Sequence, residues 1–264
     1  MPDQYLQVDL LVPTNQAGKF EALSTEFHQG DAEHHRGGFA RILGDDSQPP
    51  RYQLLLALRS TATFLYVDNE RASGTGDKVS PFDKAFYRNS TIQAGTPVYR
   101  YVHLWKIRDD QDLNLAPLMR ACGEDSLYLA IDALVLQETQ NFISRVRTPG
   151  GVAPFTEASR FVRTTRTLAH KDLGTYIFSE PMLYPPLEQA GWHNLGQYQT
   201  FSGPLNIVTE FWQTTSPDPL RQMFESVQRP PLSANAPARA LDLFKTDVRE
   251  SFDKLSYSPQ GTSL

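Results

Sequence analysis

Hydrophobic and polar residues alternate with a period of two in several segments of this 264-residue chain. That period is typical of β-strands with one buried face. Residues 5–12 place four aliphatic side chains on one face, and residues 98–107 place Val98, Val102 and Leu104 together. The same reasoning predicts further strands at residues 52–58, 61–67, 160–168, 175–178, 192–200 and 206–213.

Segments with a helical period separate these strands. After Pro13, the apolar residues Phe20, Leu23 and Phe27 follow at helical spacing. Asp218-Pro219 is a typical helix start. Other helices are predicted from Ser80, from Asp112, in a proline-broken stretch up to Ala190, and over residues 239–255, with a frayed tail after residue 255.

Two patterns occur twice in the same order along the chain. The pattern Tyr-Leu-x-(Val/Ile)-Asp-x-Leu-Val is found at residues 5–12 and again at residues 128–135. An equally spaced Pro, Trp and Leu series occurs at Pro97, Trp105 and Leu113, and again at Pro204, Trp212 and Leu220. Internal similarity in a fixed order indicates a duplicated architecture. The sequence therefore predicts two similar halves, residues 1–122 and 123–264, each opening with the repeated strand.

Each half follows the order strand, helix, strand, strand, helix, strand. This order predicts an α+β fold of ferredoxin-like units. Two such units in tandem, placed sheet against sheet, would form a core of the dimeric α/β-barrel type. Trp105 and Trp212 are expected at equivalent, mostly buried positions.

The stretch from Gly191 to Trp212 resembles the NIPSNAP family. It contains Gly-Trp-His-Asn-Leu-Gly-Gln-Tyr at 191–198 and Phe-Ser-Gly-Pro-Leu-Asn at 201–206. The resemblance covers residues 190–220 and implies the dimeric α/β-barrel superfamily. That superfamily includes cofactor-free monooxygenases, haem enzymes and isomerases, so the resemblance does not choose a reaction.

Composition excludes several classes of partner. A net charge of −5 and a pI near 5.7 argue against nucleic acid and anionic membranes. The single cysteine, Cys122, excludes an internal disulfide and a Cys-based zinc site. No signal-peptide pattern and no long apolar segment occur, which predicts a cytoplasmic protein without a membrane partner. A small-molecule ligand is the expected partner, and a homodimer stays open.

His103 and Glu210 are the leading catalytic candidates. Both stand two residues before a tryptophan, and both fall at the same distance from the paired prolines. A histidine and a carboxylate could act as general acid and base, with Tyr101 bonding a substrate oxygen. The residues expected to bind substrate around them are Tyr99, Trp105, His193, Tyr198 and Trp212. The alternative places His103 and Glu210 on opposite, solvated outer faces of separate sheets, with the aromatic residues packing under helices.

Other polar residues have weaker readings. Asp9 and Asp132 occupy the repeated strand. Either they are carboxylates that face a barrel interior, or they have a structural role. That role is an ion pair or cap that locks strand to helix, through Arg51 or Arg160, or a place on an exposed face at a strand edge. His34 and His35, with His28 earlier in the chain, could ligate a metal or haem. A solvated loop is the alternative, and no metal site is predicted. His170 is expected at the surface, and Cys122 is expected to be inert.

No nucleotide-binding, hydrolase or zinc-protease motif occurs. This absence favours chemistry without a cofactor, although one histidine would suffice for haem. The sequence predicts an enzyme that acts on an apolar or aromatic metabolite by acid–base chemistry, as a cofactor-independent oxygenase, isomerase, cyclase or lyase. The alternatives are a non-catalytic binding or interaction module and a haem-binding enzyme.

Overall fold

Eight antiparallel strands close into a barrel in the computed structural model of this chain. The structure describes residues 3–30, 36–44, 50–60, 97–108, 113–147, 155–202, 205–228, 243 and 248–259. The strand expected at 61–67, the helix expected from Ser80, and His34 and His35 lie outside these residues.

The strands occur in two groups of four along the chain. They are β1 (Gln4–Pro13), β2 (Tyr52–Ser60), β3 (Val98–Ile107), β4 (Gln137–Arg147), β5 (Arg160–Thr167), β6 (His193–Thr200), β7 (Ile207–Thr214) and β8 (Val248–Lys254). Around the barrel the order is β1-β3-β2-β8-β5-β7-β6-β4.

This order consists of two four-stranded units with the same topology. The first unit runs β4-β1-β3-β2 and the second runs β8-β5-β7-β6. Each therefore has the ferredoxin-like arrangement, which confirms the predicted α+β fold of the dimeric α/β-barrel type. A single chain closes the barrel. The strand order places β4 with the first unit, although residues after 122 were assigned to the second half. The division into two domains stays a prediction.

Helices cover the outer faces of both units. They are α1 (Ala17–Gln29), α2 (Phe39–Leu43), α3 (Ala116–Glu124), α4 (Ser126–Asp132), α5 (His170–Leu183), α6 (Pro185–Gln189) and α7 (Pro219–Gln228). None of the helices in the described part of the chain is long and apolar enough to cross a membrane.

The apolar residues form three separate clusters. The barrel interior holds Tyr5, Leu56, Leu58, Val102, Leu104, Ile143, Phe161, Leu195, Tyr198, Phe211 and Phe252. One outer layer lies between the first unit and its helices and includes Leu6, Val8, Phe20, Phe27, Phe39, Trp105 and Ile131. The second outer layer lies on the other unit and includes Val162, Tyr176, Tyr184, Trp192, Val208 and Trp212. Trp105 and Trp212 are both buried, as predicted.

The strand predicted at residues 128–135 is wrong. Residues 126–132 form helix α4, and the Asp125 side chain caps it by accepting a hydrogen bond from the Tyr128 backbone N–H at 2.7 Å. The apolar residues of this segment also have helical spacing, and they pack on the first outer layer: Leu127, Tyr128, Ile131, Leu134 and Val135. The repeated Tyr-Leu motif is therefore not a repeated strand, and it does not support the predicted duplication.

Two other predicted elements differ from the structure. Residues 175–178, predicted as a strand, lie within helix α5. In the helix predicted over 239–255, residues 248–254 are instead strand β8, which joins the units by pairing with β2 and β5. Val248 and Phe252 fit the period of two of a strand, and they also fit a helical stripe with Leu255. The spacing of these apolar residues therefore does not distinguish a strand from a helix.

Candidate functional site

A small cavity lies in the outer layer of the first unit, between the sheet and helices α1, α2 and α4. Its volume is about 40 Å³, which is room for a few water molecules. Its polar lining residues are Ser24, His28, His103, Asp132 and Glu138, and its apolar ones are Val8, Leu10, Phe27, Phe39, Trp105, Tyr128, Ile131 and Val135. Since Asp132 is exposed and Glu138 half-buried, these two carboxylates mark the mouth. We call this space the outer cavity.

His103 forms part of the floor of the outer cavity. In β3 it lies opposite Val8 of β1 and Ala57 of β2, so its side chain points away from the barrel interior. The residue is only 5% exposed, and its Nε2 lies 2.9 Å from the Tyr257 hydroxyl oxygen. Burial lowers the pKa of His103 to about 4, against a smaller opposing effect of Asp9. His103 is therefore neutral at pH 7.

His28 reaches the same cavity from helix α1. Its ring stacks on Tyr257 with centroids 4.9 Å apart and meets the His103 ring edge-on at 5.3 Å. Although the residue as a whole is half-buried, its Nδ1 atom is buried and has no hydrogen-bond partner in the described structure. Burial, followed by the charges of His103 and Arg41, holds the pKa of His28 well below its usual range. The cavity thus contains two neutral imidazoles.

Gly38 permits the close approach of His28 and Trp105. Its φ is +55°, a backbone conformation that strongly favours glycine. A Cβ atom at this position would lie 2.4 Å from Cη2 of Trp105 and 2.6 Å from Nδ1 of His28. A larger residue would therefore push into the side of the cavity where Nδ1 lies.

The segment that carries Tyr257 is held to the sheet. The Leu255 N–H donates to the Ala57 carbonyl oxygen at 3.0 Å, and the Ala57 N–H donates to the Ser258 hydroxyl at 3.0 Å. Tyr257 is buried, and its hydroxyl hydrogen-bonds His103 as described above. The tail predicted to fray from residue 256 is therefore packed as far as the structure describes it, to residue 259.

Trp105 lines the cavity, whereas the hydroxyl of Tyr101 is engaged elsewhere. Trp105 stacks on Phe39 with centroids 4.7 Å apart. Tyr101 shares its strand face with His103, but its hydroxyl donates to Glu21 at 2.8 Å, and Glu21 pairs with Arg59. The Arg59 guanidinium also lies over the ring of Tyr99 at 5.1 Å. Neither tyrosine lines the outer cavity.

Glu210 lies in the other outer layer, in a fully hydrogen-bonded setting. Its Oε1 accepts from Tyr176 at 2.6 Å, from Tyr184 at 2.7 Å and from Gln197 at 3.1 Å. Its Oε2 accepts from Thr164 at 3.0 Å, Trp212 at 3.1 Å and Arg166 at 3.0 Å. Burial alone would raise the pKa of Glu210, but Arg166 and these hydrogen bonds lower it to about 2.

The proposed pairing of Glu210 with His103 therefore needs correction. The two residues belong to different outer layers, because the helices over each unit face opposite ways from the barrel. Trp212 lies with Glu210, His193 is exposed at the start of β6, and Tyr198 points into the barrel interior against Tyr5. Among the predicted site residues, only His103 and Trp105 line the outer cavity.

Asp9 faces the barrel interior, as the first alternative expected, and its carboxylate pairs with an arginine, as the second expected. Its carboxylate accepts from the Arg163 guanidinium on the opposite strand β5, and not from Arg51 or Arg160. Arg163 also pairs with Glu250 of β8, and Glu250 accepts from Arg100 at 3.0 Å. Burial opposes the charge of Arg163, but Asp9 and Glu250 raise its pKa above the usual range. This network crosses the barrel and joins the two units.

The remaining candidates are isolated. Cys122 is buried, and burial raises its pKa to about 12, which agrees with an inert thiol. His170 is exposed. The described residues contain no group of three His, Cys, Asp or Glu side chains placed to hold a metal. His28 and His103 could ligate an iron, but the outer cavity is far too small for a porphyrin, so the described residues do not fit haem.

Sequence reasoning missed Tyr257 and Glu138 and placed His28 in a different site. His28 follows Phe27 on the buried stripe of α1 and lies one turn after Ser24, so its position on the core face could have been read from the helical spacing. Tyr257 had no such signal, because it lies outside a regular element. Glu138 lies in β4, a strand whose polar sequence did not predict burial.

No family model matches this chain, and no curated protein matches it. Among solved structures, it is similar to a provisionally assigned monooxygenase from Fusobacterium nucleatum, with a TM-score of 0.52 and 6% identity over 97% of this chain and 93% of the other. It is also similar to a provisionally assigned monooxygenase from Lactobacillus acidophilus, with a TM-score of 0.50 and 7% identity over 96% and 95% of the two chains. Identities this low show the shared dimeric α/β-barrel fold alone.

Proposed function

We propose that this chain is an enzyme that transfers protons on a small apolar or aromatic molecule bound in the outer cavity. One observation carries the proposal. Two neutral imidazoles lie 5.3 Å apart at an apolar cavity, and Nδ1 of His28 is buried there without a partner among the described residues. Perturbed histidines that converge on an apolar cavity are typical of a small-molecule site.

His28 is the proton carrier in this proposal. With its ring proton on Nε2, the free lone pair of Nδ1 accepts a proton from an acidic C–H or O–H group of the substrate. The electron pair of the broken bond stays on the substrate as an enolate or phenolate. Because the pKa of His28 is low, its protonated form readily returns the proton. His103, whose Nε2 hydrogen-bonds the Tyr257 hydroxyl, holds the His28 ring in position.

Proton transfer is the step shared by the reaction types considered. Return of the proton to another atom of the substrate is an isomerisation. Reaction of a carbon of the enolate or phenolate with dioxygen, which keeps one oxygen atom in the product and releases the other as water, is a monooxygenation. The two solved structures described above, from Fusobacterium nucleatum and Lactobacillus acidophilus, carry the name monooxygenase, which supports testing the second branch. Membership of the NIPSNAP family, a cytoplasmic location and homodimer formation remain parts of this proposal that rest on the sequence.

Deuterium exchange separates an enzyme from a binding module. Aromatic ketones and phenols that raise the Tm of the protein are incubated with it in D2O, and loss of ligand C–H signals is followed by ¹H NMR. We expect exchange with the parent and with His170→Gln, an exposed control, and little with His28→Gln. Binding without exchange would instead support a non-catalytic module. Oxygen uptake then distinguishes oxygenation from isomerisation.

A further inference from the structure

We infer that the outer cavity selects ligands that present an oxygen acceptor to its interior and carry a neutral or positive group, not a negative one, at its mouth. This inference rests on the proposed function, since it defines the substrate class of the same site. Three features of the cavity carry it: an unpartnered donor on a side chain that lines it, two carboxylates at its mouth, and aromatic rings in its lining.

The unused donor is the indole N–H of Trp105. This residue is 1% exposed, and its Nε1 atom has no hydrogen-bond acceptor among the described residues. An indole N–H can only donate, so the group it lacks is an acceptor such as a carbonyl, hydroxyl or phenolate oxygen. Buried donors are rarely left without a partner, and a bound oxygen would supply one.

The mouth carries negative charge. Asp132 and Glu138 both line the cavity, and neither makes an ion pair within the described structure. Glu138 also accepts a hydrogen bond from Gln140. Burial raises the pKa of Glu138, that hydrogen bond opposes the shift, and the charge of Asp132 adds to it. Arg41, the cation near His28, is already paired with Asp125 at 3.1 Å. A ligand carboxylate at the mouth would therefore be repelled.

The aromatic lining of the outer cavity also favours a cationic group over an anionic one. Phe27, Tyr128 and Trp105 contribute aromatic rings to the lining of the cavity. Aromatic faces attract cationic groups through their quadrupole, and adjacent carboxylates add to this attraction. The volume of about 40 Å³ admits only the oxygen-bearing end of a ligand, so the ring and the charged end would lie at the mouth, near Asp132 and Glu138.

Three probes with one ring test the inference: tyramine, 4-ethylphenol and 4-hydroxyphenylacetate, which differ mainly in the charge of the substituent. Dissociation constants are measured by calorimetry at pH 7. We expect tyramine and 4-ethylphenol to bind roughly tenfold or more tightly than 4-hydroxyphenylacetate. Glu138→Gln should reduce the ratio between the dissociation constants of 4-hydroxyphenylacetate and tyramine several-fold. Glu124→Gln, the same change at an exposed position on α3, should leave it unchanged.

The interior contact is tested by Trp105→Phe, which keeps an aromatic ring but removes the donor. It should weaken all three probes alike. Since this variant could unfold, the indole ¹⁵N–H resonance of Trp105 in the parent provides a second readout, and it should shift on addition of 4-ethylphenol. Equal binding of the three probes, an unshifted resonance, or no binding of any probe overturns the inference. In each of those cases, His28-dependent deuterium exchange observed with other ligands would still support the proposed function.

Discussion

His103 and Glu210 occupy the same register in the two units, yet they face separate outer layers. In β3 and β2, Trp105 lies opposite Leu54, a bulge follows, and His103 lies opposite Ala57. In β7 and β6, Trp212 lies opposite Asn194, a bulge follows, and Glu210 lies opposite Gln197. The equal spacing in the sequence therefore reflects equal position in the fold. The Glu210 carboxylate is surrounded by hydrogen-bond donors, whereas His103 borders a cavity.

Glu210→Gln should destabilise the protein by about 3–5 kcal/mol, because it breaks the buried ion pair between Glu210 and the Arg166 guanidinium. Urea unfolding at pH 7 measures the change. Replacing both residues, as Glu210→Gln with Arg166→Met, should recover part of the loss because both members of the buried ion pair are then removed together. Ligand binding in the outer cavity should be unaffected. Loss of binding in a folded Glu210→Gln variant would contradict the separation of the two layers.

Stability should fall with acid because of His103. Its pKa is about 4 when folded and about 6.5 when unfolded, so the unfolded chain binds more protons between these values. The contribution of neutral His103 is complete above pH 6.5 and is lost as the pH falls towards 4. Between pH 7.5 and pH 5 this amounts to about 2 kcal/mol. His28 acts in the same direction.

Urea unfolding at several pH values between 7.5 and 5 checks this effect. His103→Gln should show a smaller decline in unfolding free energy than the parent, and the exposed control His170→Gln should follow the parent. The window lies above that of Glu210, whose lowered pKa of about 2 makes its contribution fall only below about pH 4.5. Equal slopes for the parent and His103→Gln would show that His103 is not buried in its neutral form.

Strands with clear alternation were predictable, and β3 is an example because its predicted bounds match the structure. The β4 strand has no alternation that predicts it, because polar, half-buried residues occupy both of its faces and Ile143 is its one buried residue. Residues 128–135 show the opposite problem, since Tyr128, Ile131 and Val135 suit a helix as well as the strand motif does. The Asp125 cap decides between the two.

The candidate site was only half predictable for a physical reason. His103 and Trp105 share one strand, so local spacing placed them on one face. His28 and Tyr257 come to them through the packing of α1 and of the segment after β8 on the sheet, contacts that are distant in sequence. The pairing with Glu210 had assumed that equal register means a shared site, but the closed barrel separates the outer faces of its two units.

Arg163 should be essential to the stability of the barrel interior. Arg163→Met leaves Asp9 buried without a cation and Glu250 with Arg100 alone, so we expect a loss of about 3–5 kcal/mol in unfolding free energy. Arg160→Met is the matched control on the same strand. It removes a pair with Asp253 at 3.5 Å whose side chains are 37% and 39% exposed, and should cost roughly 0–1 kcal/mol. Similar losses for both variants would contradict a special role of the interior network.

Gly38→Ala should impair both folding and the outer cavity. The added Cβ is strained by the φ of +55° and would lie within 2.6 Å of Trp105 and His28 atoms, so we expect a loss of roughly 1–3 kcal/mol. Gly18→Ala, in helix α1 with nothing within 4 Å of the new Cβ, should instead stabilise by up to about 1 kcal/mol. Thermal and urea unfolding compare the two. At a temperature where both variants are folded, 4-ethylphenol should bind Gly18→Ala as it binds the parent. It should bind Gly38→Ala more weakly, because the methyl group displaces the two side chains that carry the unpartnered nitrogens. Undiminished binding to Gly38→Ala would place the ligand elsewhere.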